Sequence, residues 1–362
     1  MKIAIIHYWL VNQRGGEKVL EALCELYPQA DIFTHVYDAN KFLDSIISKH
    51  NIKTTFISKL PWAIKKYQQY LPFMPLALEE LDLTGYDLVI SSESGPAKGI
   101  ITPPGVPHIC YCHSPMRYAW DMYHQYKNTQ NKLKRLIMSP IMHYLRRWDQ
   151  ATSVQVTGFI ANSSFVAQRI KSYYGRESDI IYPPVNTAQF SVSPDCDEYY
   201  LLLGQLVDYK RADLAVKAFN ESGKKLVVIG DGNQLGWLKK IARENVQILG
   251  SLPFDEMRKY LLKCRALIFP GVEDFGIVPL EAMACGKPVI AYAKGGALDT
   301  VLDGITGCFF YEQNITSINS TIEQFENDFY LDQDKIRKHA ENFSKEKFKE
   351  KVEVFIRSFL VN

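Results

Sequence analysis

Glu273 and Glu281 stand with seven residues between them in the segment Phe269-Pro270-Gly271-Val272-Glu273-Asp274-Phe275-Gly276-Ile277-Val278-Pro279-Leu280-Glu281. The apolar run Ala266 to Phe269 reads as a buried strand, and Pro279 to Cys285 as the first turns of a helix. One acid therefore starts the connecting loop and the other lies just inside the helix. Such a loop offers backbone N–H groups and a positive helix end to an anion, while its carboxylates can accept hydrogen bonds from hydroxyls. A nucleotide sugar carries both kinds of group. The same acids also fit a plainer arrangement, in which a glutamate only complements the helix dipole.

Three further segments carry candidate chemistry. Gly15-Gly16-Glu17 follows a first strand ending at His7, and adjacent glycines let backbone approach a ligand at a helix start. It is not the G-x-G-x-x-G dinucleotide fingerprint, which counts against a nicotinamide enzyme. His113 follows the strand ending at Tyr111 and sits among Ser114, Arg117, Trp120 and Asp121, at the carboxyl edge of a sheet; a structural histidine is the alternative. Gly204 through Arg211 follows the first strand of the second half, and Lys210 and Arg211 at a helix entrance oppose its dipole unless an anion sits there; a solvated charge pair is the alternative.

The elements that must place these residues alternate short apolar runs with helical patterns, as in doubly wound α/β domains. Strands are expected at Lys2–His7, Ile32–Thr34, Leu88–Ser91, His108–Tyr111 and Phe159–Ala161, then at Tyr200–Leu203, Lys225–Ile229, Val246–Leu249, Ala266–Phe269, Pro288–Tyr292 and Cys308–Tyr311. Their continuous apolar character suits parallel strands covered on both faces. The length of 362 residues exceeds one core, and Tyr182-Pro183-Pro184-Val185 marks a stiff boundary. The expected division is 1–185, 186–344 and a terminal amphipathic helix in 345–362 that packs toward the first domain. Two such domains would bind ligand in a cleft at the carboxyl edges of their sheets.

Net charge is +2 but unevenly spread: residues 1–185 hold 20 Lys/Arg against 15 Asp/Glu, and residues 186–362 hold 22 against 25. The seven cysteines lack metal-type or disulfide spacing and read as buried, reduced thiols of a cytoplasmic protein. No cleavable leader and no membrane-spanning run is expected. Residues 59–75 and 127–147 mix basic with apolar side chains, a pattern that fits either an anionic membrane surface or an ordinary surface helix with a core stripe. Neither resembles a nucleic-acid module, so no nucleic-acid partner is expected.

Taken in order, Gly15-Gly16-Glu17, Tyr111-Cys112-His113-Ser114-Pro115-Met116-Arg117-Tyr118-Ala119-Trp120-Asp121, Ala161-Asn162-Ser163-Ser164, Tyr182-Pro183-Pro184-Val185, Gly204 to Arg211, Gly230-Asp231-Gly232 and Glu273 to Glu281 with Gly286-Lys287-Pro288 resemble the retaining glycosyltransferases of family 4. The resemblance covers nearly the whole chain, and the histidine segment looks most like the mannosyltransferase branch of bacterial surface-polysaccharide synthesis. It implies the GT-B architecture of two Rossmann-like domains facing across a cleft. It also implies transfer of a hexose, mannose from GDP-mannose, to a lipid-linked glycan of O-antigen, capsule or exopolysaccharide, by a peripheral enzyme at the inner membrane face.

Carried over by position, His113, Glu273 and Lys210 would be catalytic. Gly15, Gly16, Gln205, Lys210, Arg211, Phe275, Gly276, Ile277, Val278 and Glu281 would bind the donor, Glu281 through the ribose. Arg14, Glu17, Arg117 and Trp120 would bind the acceptor. No cofactor and no metal are expected. One departure stands out: relatives usually carry arginine where this chain has Gln205, so Arg211, Arg14 or Arg117 is expected to supply the missing charge. Rival readings are another donor (UDP-glucose, UDP-galactose or dTDP-rhamnose), a sugar-nucleotide epimerase, and a non-catalytic partner in a polysaccharide assembly complex.

Overall fold

The computed structural model describes residues 1–193, 195–330 and 332–360. The chain divides into two compact units, one from Met1 to Pro184 together with the segment from Phe348 onward, the other Val185–Lys347. Each is built on a wholly parallel sheet.

In the first unit the strands are β1 (Ile3–His7), β2 (Asp31–Thr34), β3 (Ile52–Thr54), β4 (Leu88–Glu93), β5 (His108–Cys112), β6 (Gly158–Ala161) and β7 (Asp179–Ile180), ordered β3-β2-β1-β4-β5-β6-β7. In the second they are β8 (Tyr199–Leu203), β9 (Lys225–Ile229), β10 (Val246–Gly250), β11 (Leu267–Phe269), β12 (Val289–Tyr292) and β13 (Gly307–Phe310), ordered β10-β9-β8-β11-β12-β13. Central strands such as Ile3-Ala4-Ile5-Ile6 are fully buried because helices cover both faces. The edge strands β3 and β7, which the apolar pattern did not mark, are short and mostly exposed.

Winding reverses once in each sheet, between β1 and β4 and between β8 and β11. Crossovers leave in opposite directions at such a point, and a crevice opens outside the carboxyl ends of the two strands. The loops after β1, β4, β8 and β11 are therefore the ones placed to bind.

The helix Lys345–Arg357 turns Phe348, Val352 and Ile356 into the core of the first unit, against β-strand residues such as Ile5, Ile109 and Tyr111. Lys349 anchors it to Glu25 at 3.1 Å. Seven cysteines are free thiols; five are buried, while Cys308 is half-buried and Cys196 is exposed, since it lies in the polar segment ahead of β8. Phe348 is 2 % exposed and its ring meets Tyr111 at 5.7 Å. Phe348→Ala is expected to lower unfolding free energy by about 3–5 kcal/mol, read from urea denaturation; a change below about 1 kcal/mol would mean the helix is not part of that core.

Candidate functional site

The second unit gathers its candidates at the β8/β11 reversal. After β8, Gly204 takes φ +144 and donates its N–H to the Ile229 carbonyl at 3.0 Å. The first carbon of a side chain at Gly230 would lie 1.8 Å from the Gly204 oxygen, so these two glycines let the loops after β8 and β9 touch by backbone alone. A single 3-10 turn, Asp208–Lys210, then delivers Lys210, and Arg211 at φ 54 precedes the helix Ala212–Ser222.

The loop after β11 lies directly against this turn. A Cβ at Gly271 would be 2.6 Å from the Lys210 Cα, so only glycine lets the two backbones pass. Glu273 then reaches Lys210, Oε1 to Nζ at 2.9 Å, with both side chains 19 % exposed. The Glu273 carbonyl accepts the Gly296 N–H at 2.9 Å, and a Cβ at Gly296 would meet the Phe275 Cα at 2.3 Å. The Glu273–Phe275 backbone is thus clamped from behind. Gly276, at φ 90, opens the helix Ile277–Ala284 with no side-chain cap, which leaves first-turn N–H groups without a helical partner. Ile277 and Val278 are half-buried, and Glu281 lies farther along that helix, buried at 8 % exposure.

One sequence expectation changes here. Lys210 and Arg211 do not depend on an external anion to offset the helix end. Glu273 meets Lys210, and Asp213 in the first helical turn takes the Arg211 Nε at 3.0 Å. Gln205 is exposed, and its carbonyl accepts the Val207 N–H at 3.1 Å.

The first unit gathers a second set at the β1/β4 reversal. His7 and Ser92 are register partners on β1 and β4, which puts their side chains on one face. The Ser92 Oγ lies 3.1 Å from His7 Nδ1 and 2.8 Å from His113 Nε2. His7 Nε2 faces Glu17 Oε1 at 3.6 Å, and the other Glu17 oxygen accepts the Arg14 N–H at 2.8 Å. The His113 N–H is held by the Glu93 carbonyl at 2.8 Å. Burial, with His7 nearby, pushes His113 down to about 3, so its ring stays neutral at physiological pH. A Cβ at Gly16 would lie 2.3 Å from the Tyr8 hydroxyl and 3.7 Å from His113 Nε2, so glycine there answers the protein's own packing. Gly15 opens the helix Gly15–Leu26, with Arg14 exposed just before it.

Trp120 is half-buried. Its indole N–H donates to Asp149 at 2.7 Å, and its ring stacks on Tyr173 at 4.6 Å. Arg117 is half-buried, and its carbonyl accepts the Met122 N–H at 3.0 Å. The His113 segment is braced by Arg169, whose guanidinium reaches Ser114 at 2.7 Å and also Asp121.

Beneath it lies a buried charge cluster that the sequence pattern did not mark. Lys98 is wholly buried, with Nζ 2.9 Å from Glu93 and bonded to Asp149, and Tyr174 donates to Asp149 at 2.9 Å. Burial pushes Glu93 up to about 7 although Lys98 opposes the shift. His7, Ser92, Lys98 and Arg169 were all missed; the visible signal was one lysine inside the small-residue run Gly95-Pro96-Ala97-Lys98-Gly99. Lys98→Met would leave two buried carboxylates facing each other, and is expected to destabilise the protein by about 3–5 kcal/mol in urea unfolding. Wild-type stability in that variant would show that the cluster is neutral.

Among the described residues, no group of three or more His, Cys, Asp or Glu side chains could hold a metal ion. Also among them, no helix is long and apolar enough to cross a membrane.

Comparison with known proteins places both units. Residues 13–189 match the family described as Glycosyltransferase Family 4, and residues 186–349 match Glycosyl transferases group 1. The chain is 29% identical over 192 residues to a GDP-mannose-dependent alpha-(1-6)-phosphatidylinositol monomannoside mannosyltransferase of Mycolicibacterium smegmatis, covering 44% of this chain and 50% of that protein. It is 27% identical over 276 residues to the alpha-1,3/1,6-mannosyltransferase ALG2 of Dictyostelium discoideum, covering 60% of each. The chain spans about half the length of the first curated relatives it matches. In three dimensions it resembles Anabaena Alr3699/HepE, solved with UDP-glucose, at TM-score 0.72 and 17% identity over 99% of this chain and 100% of that one. WaaG, a glycosyltransferase involved in lipopolysaccharide biosynthesis, superposes at TM-score 0.69 and 17% identity, over 97% and 98% of the two chains. These neighbours establish the two-domain GT-B fold.

Proposed function

Because the chain belongs to glycosyltransferase family 4, we propose that it is a retaining hexosyltransferase that moves mannose from GDP-mannose onto a lipid-linked glycan. The observation that carries this reading is the Lys210–Glu273 pair, 2.9 Å apart, beside the uncapped start of the helix Ile277–Ala284. The printed names of the relatives, mannosyltransferases and in one case GDP-mannose-dependent, support the choice of sugar and base.

In this mechanism the bond from the anomeric carbon to the diphosphate breaks first. Positive charge grows on the sugar and negative charge on the leaving group, so catalysis comes from groups that bind the departing diphosphate more tightly than the intact donor. Lys210 and the N–H groups of Gly276, Ile277 and Val278 take that role, with no metal assigned to it. Glu273 exchanges its bond to Lys210 for the sugar hydroxyls, since a diphosphate offers the lysine more charge than one carboxylate. Glu281 holds the ribose. The acceptor hydroxyl attacks on the face the diphosphate leaves and passes its proton to the departing phosphate oxygen, which retains the anomeric configuration and yields the protonated nucleoside diphosphate.

Calorimetric titration with GDP-mannose, UDP-glucose, UDP-galactose and dTDP-rhamnose tests the reading. GDP-mannose is expected to bind tightest, and Glu281→Gln to weaken it about ten- to a hundredfold through loss of charged hydrogen bonds. Glu273→Gln is expected to leave donor affinity within about threefold while cutting turnover about a hundredfold or more. Binding of no nucleotide sugar by the intact protein would reject the assignment.

We place the acceptor in a membrane and the protein on its inner face, in the synthesis of O-antigen, capsule or exopolysaccharide. Support comes from the exposed apolar side chains among lysines: Trp62 is 70% exposed and Leu136 73%, with Ile64, Phe73, Leu133 and Ile137 also outward. The helix Lys132–Thr152 turns Met142, Leu145 and Trp148 inward, so its first turns display a separate apolar face. Not every basic residue there faces solvent: Lys127 bonds to Ser139 at 2.9 Å, and Arg146 donates to the Ala119 carbonyl at 2.7 Å. Lys65, Lys66, Lys132 and Lys134 are exposed. Replacing those four by glutamine should reduce co-sedimentation with phosphatidylglycerol vesicles about a hundredfold or more, at ~1 kcal/mol per lysine. Equal sedimentation of variant and wild type would remove the membrane from this reading.

A further inference from the structure

We propose that the indole N–H of Trp9, the Tyr67 hydroxyl and the Arg14 guanidinium form an anion site in the first unit, which takes the phosphate joining the acceptor glycan to its lipid. Trp9 stands two residues past the end of β1, at the carboxyl edge that also carries His113. Its ring is held on three sides. The Tyr8 ring meets it edge-on at 4.8 Å, the Tyr67 ring lies 4.8 Å away, and a Cβ at Gly95 would come within 2.8 Å of Cη2 and Cζ3. The six-membered side of the indole is thus turned to the loop after β4, and the five-membered side with its N–H points away from that loop. Among the described residues this N–H has no hydrogen-bond partner, and it is not one of the buried polar atoms left unpartnered, so it reaches solvent.

The Tyr67 oxygen accepts from the Gln68 amide at 3.4 Å, and among the described residues nothing accepts its phenol proton. Burial raises the pKa of this hydroxyl while the charge of nearby Arg14 opposes the rise, so the proton stays on at neutral pH. Arg14 is exposed, and among the described residues its guanidinium has no ion-pair partner. Three donors therefore stand open together. An indole N–H and a guanidinium cannot accept, and the phenol oxygen already does. A sugar hydroxyl must place a proton of its own, whereas a phosphate only accepts at neutral pH, and the arginine charge makes its bonds stronger. The set fits a phosphate better than an unmodified sugar.

The outer side of the same segment points to a lipid as the phosphate's carrier. Tyr67 lies five residues after Trp62, which is 70% exposed on a backbone at φ 52. Left-handed backbone is unfavourable for a bulky side chain, and such strain persists where it serves a function. Lys59, Lys65 and Lys66 flank Trp62, exposed, and no Asp or Glu occurs from Ser45 to Leu78. One short stretch thus turns Trp62 and lysines outward and Tyr67 inward, onto Trp9. Tyr8 in turn lies between Trp9 and His113, its ring centroid 4.8 and 6.3 Å from theirs. A phosphate on Trp9 and Tyr67 would have its lipid beside Trp62 and its sugar toward His113. The lipid and sugar parts of this statement rest on the function proposed above; the preference for an anion does not.

The test is proton–nitrogen correlation of the indole signals in full-length protein labelled with 15N-tryptophan, with Trp9 assigned by the signal lost in Trp9→Phe. The probes are octyl phosphate and octyl α-mannoside, which share an alkyl chain, and inorganic phosphate, which has none. Octyl phosphate is expected to move the Trp9 signal to saturation, about tenfold more tightly than inorganic phosphate, while octyl α-mannoside leaves it in place. Arg14→Gln is expected to weaken octyl phosphate about tenfold and Tyr67→Phe about threefold. A Trp9 signal that stays still, that follows the mannoside, that answers both phosphates equally, or that GDP releases from octyl phosphate overturns the proposal. Should Trp9→Phe fail to fold, calorimetry of octyl phosphate on wild type and Arg14→Gln decides, and equal affinity overturns it. Because no nucleotide sugar and no vesicle is used, a failure here is distinct from a failure of the donor titrations or of the sedimentation.

Discussion

A parallel strand delivers its carboxyl end to the same edge of the sheet as every neighbour, and both sheets of this chain are parallel throughout. All connecting loops at that edge therefore compete for one strip of space. Winding reversal relieves the crowding at one place per sheet. The first unit puts His7, Ser92 and His113 there, and the second puts Lys210 and Glu273 there. Glycines at 204, 230, 271 and 296 are the means by which the loops crowd together, since a Cβ at 230, 271 or 296 would overlap a neighbouring backbone and Gly204 needs φ +144. The same closeness brings Glu273 within hydrogen-bond reach of Lys210.

Electrostatics in the two units follow different rules. In the second, each cation at the helix start has a carboxylate of its own, and the pairs stay partly exposed. In the first, charge is buried outright, with Lys98 between Glu93 and Asp149. A buried pair of that kind contributes little net stability but is costly to break, so it fixes geometry more than it stabilises. Here the geometry it fixes is the end of β4, where the Glu93 carbonyl holds the His113 N–H and the neighbouring Ser92 holds its ring.

The eleven expected strands were legible because each is a continuous apolar run, and they were found within one or two residues of their expected bounds. The strands β3 and β7 were not, because a short edge strand exposes its side chains and needs no apolar pattern. Glu273, Glu281, Lys210 and His113 were legible through their positions after strands. His7 and Ser92 were not, since their meeting depends on the register of two strands 85 residues apart. Trp120 was singled out through its neighbours His113, Arg117 and Asp121, but its bond to Asp149 and its stacking on Tyr173 were not legible, because they depend on contacts made across the fold.

The helix Lys345–Arg357 has a consequence for biosynthesis. Its Phe348, Val352 and Ile356 belong to the core of the unit that begins at Met1, yet the ribosome must make all of Val185–Lys347 before it supplies them. Domains generally fold as they emerge, the N-terminal one first. In this protein the earlier unit must wait with an uncovered apolar surface while Val185–Lys347 is made, so of the two units the one begun earlier is completed later.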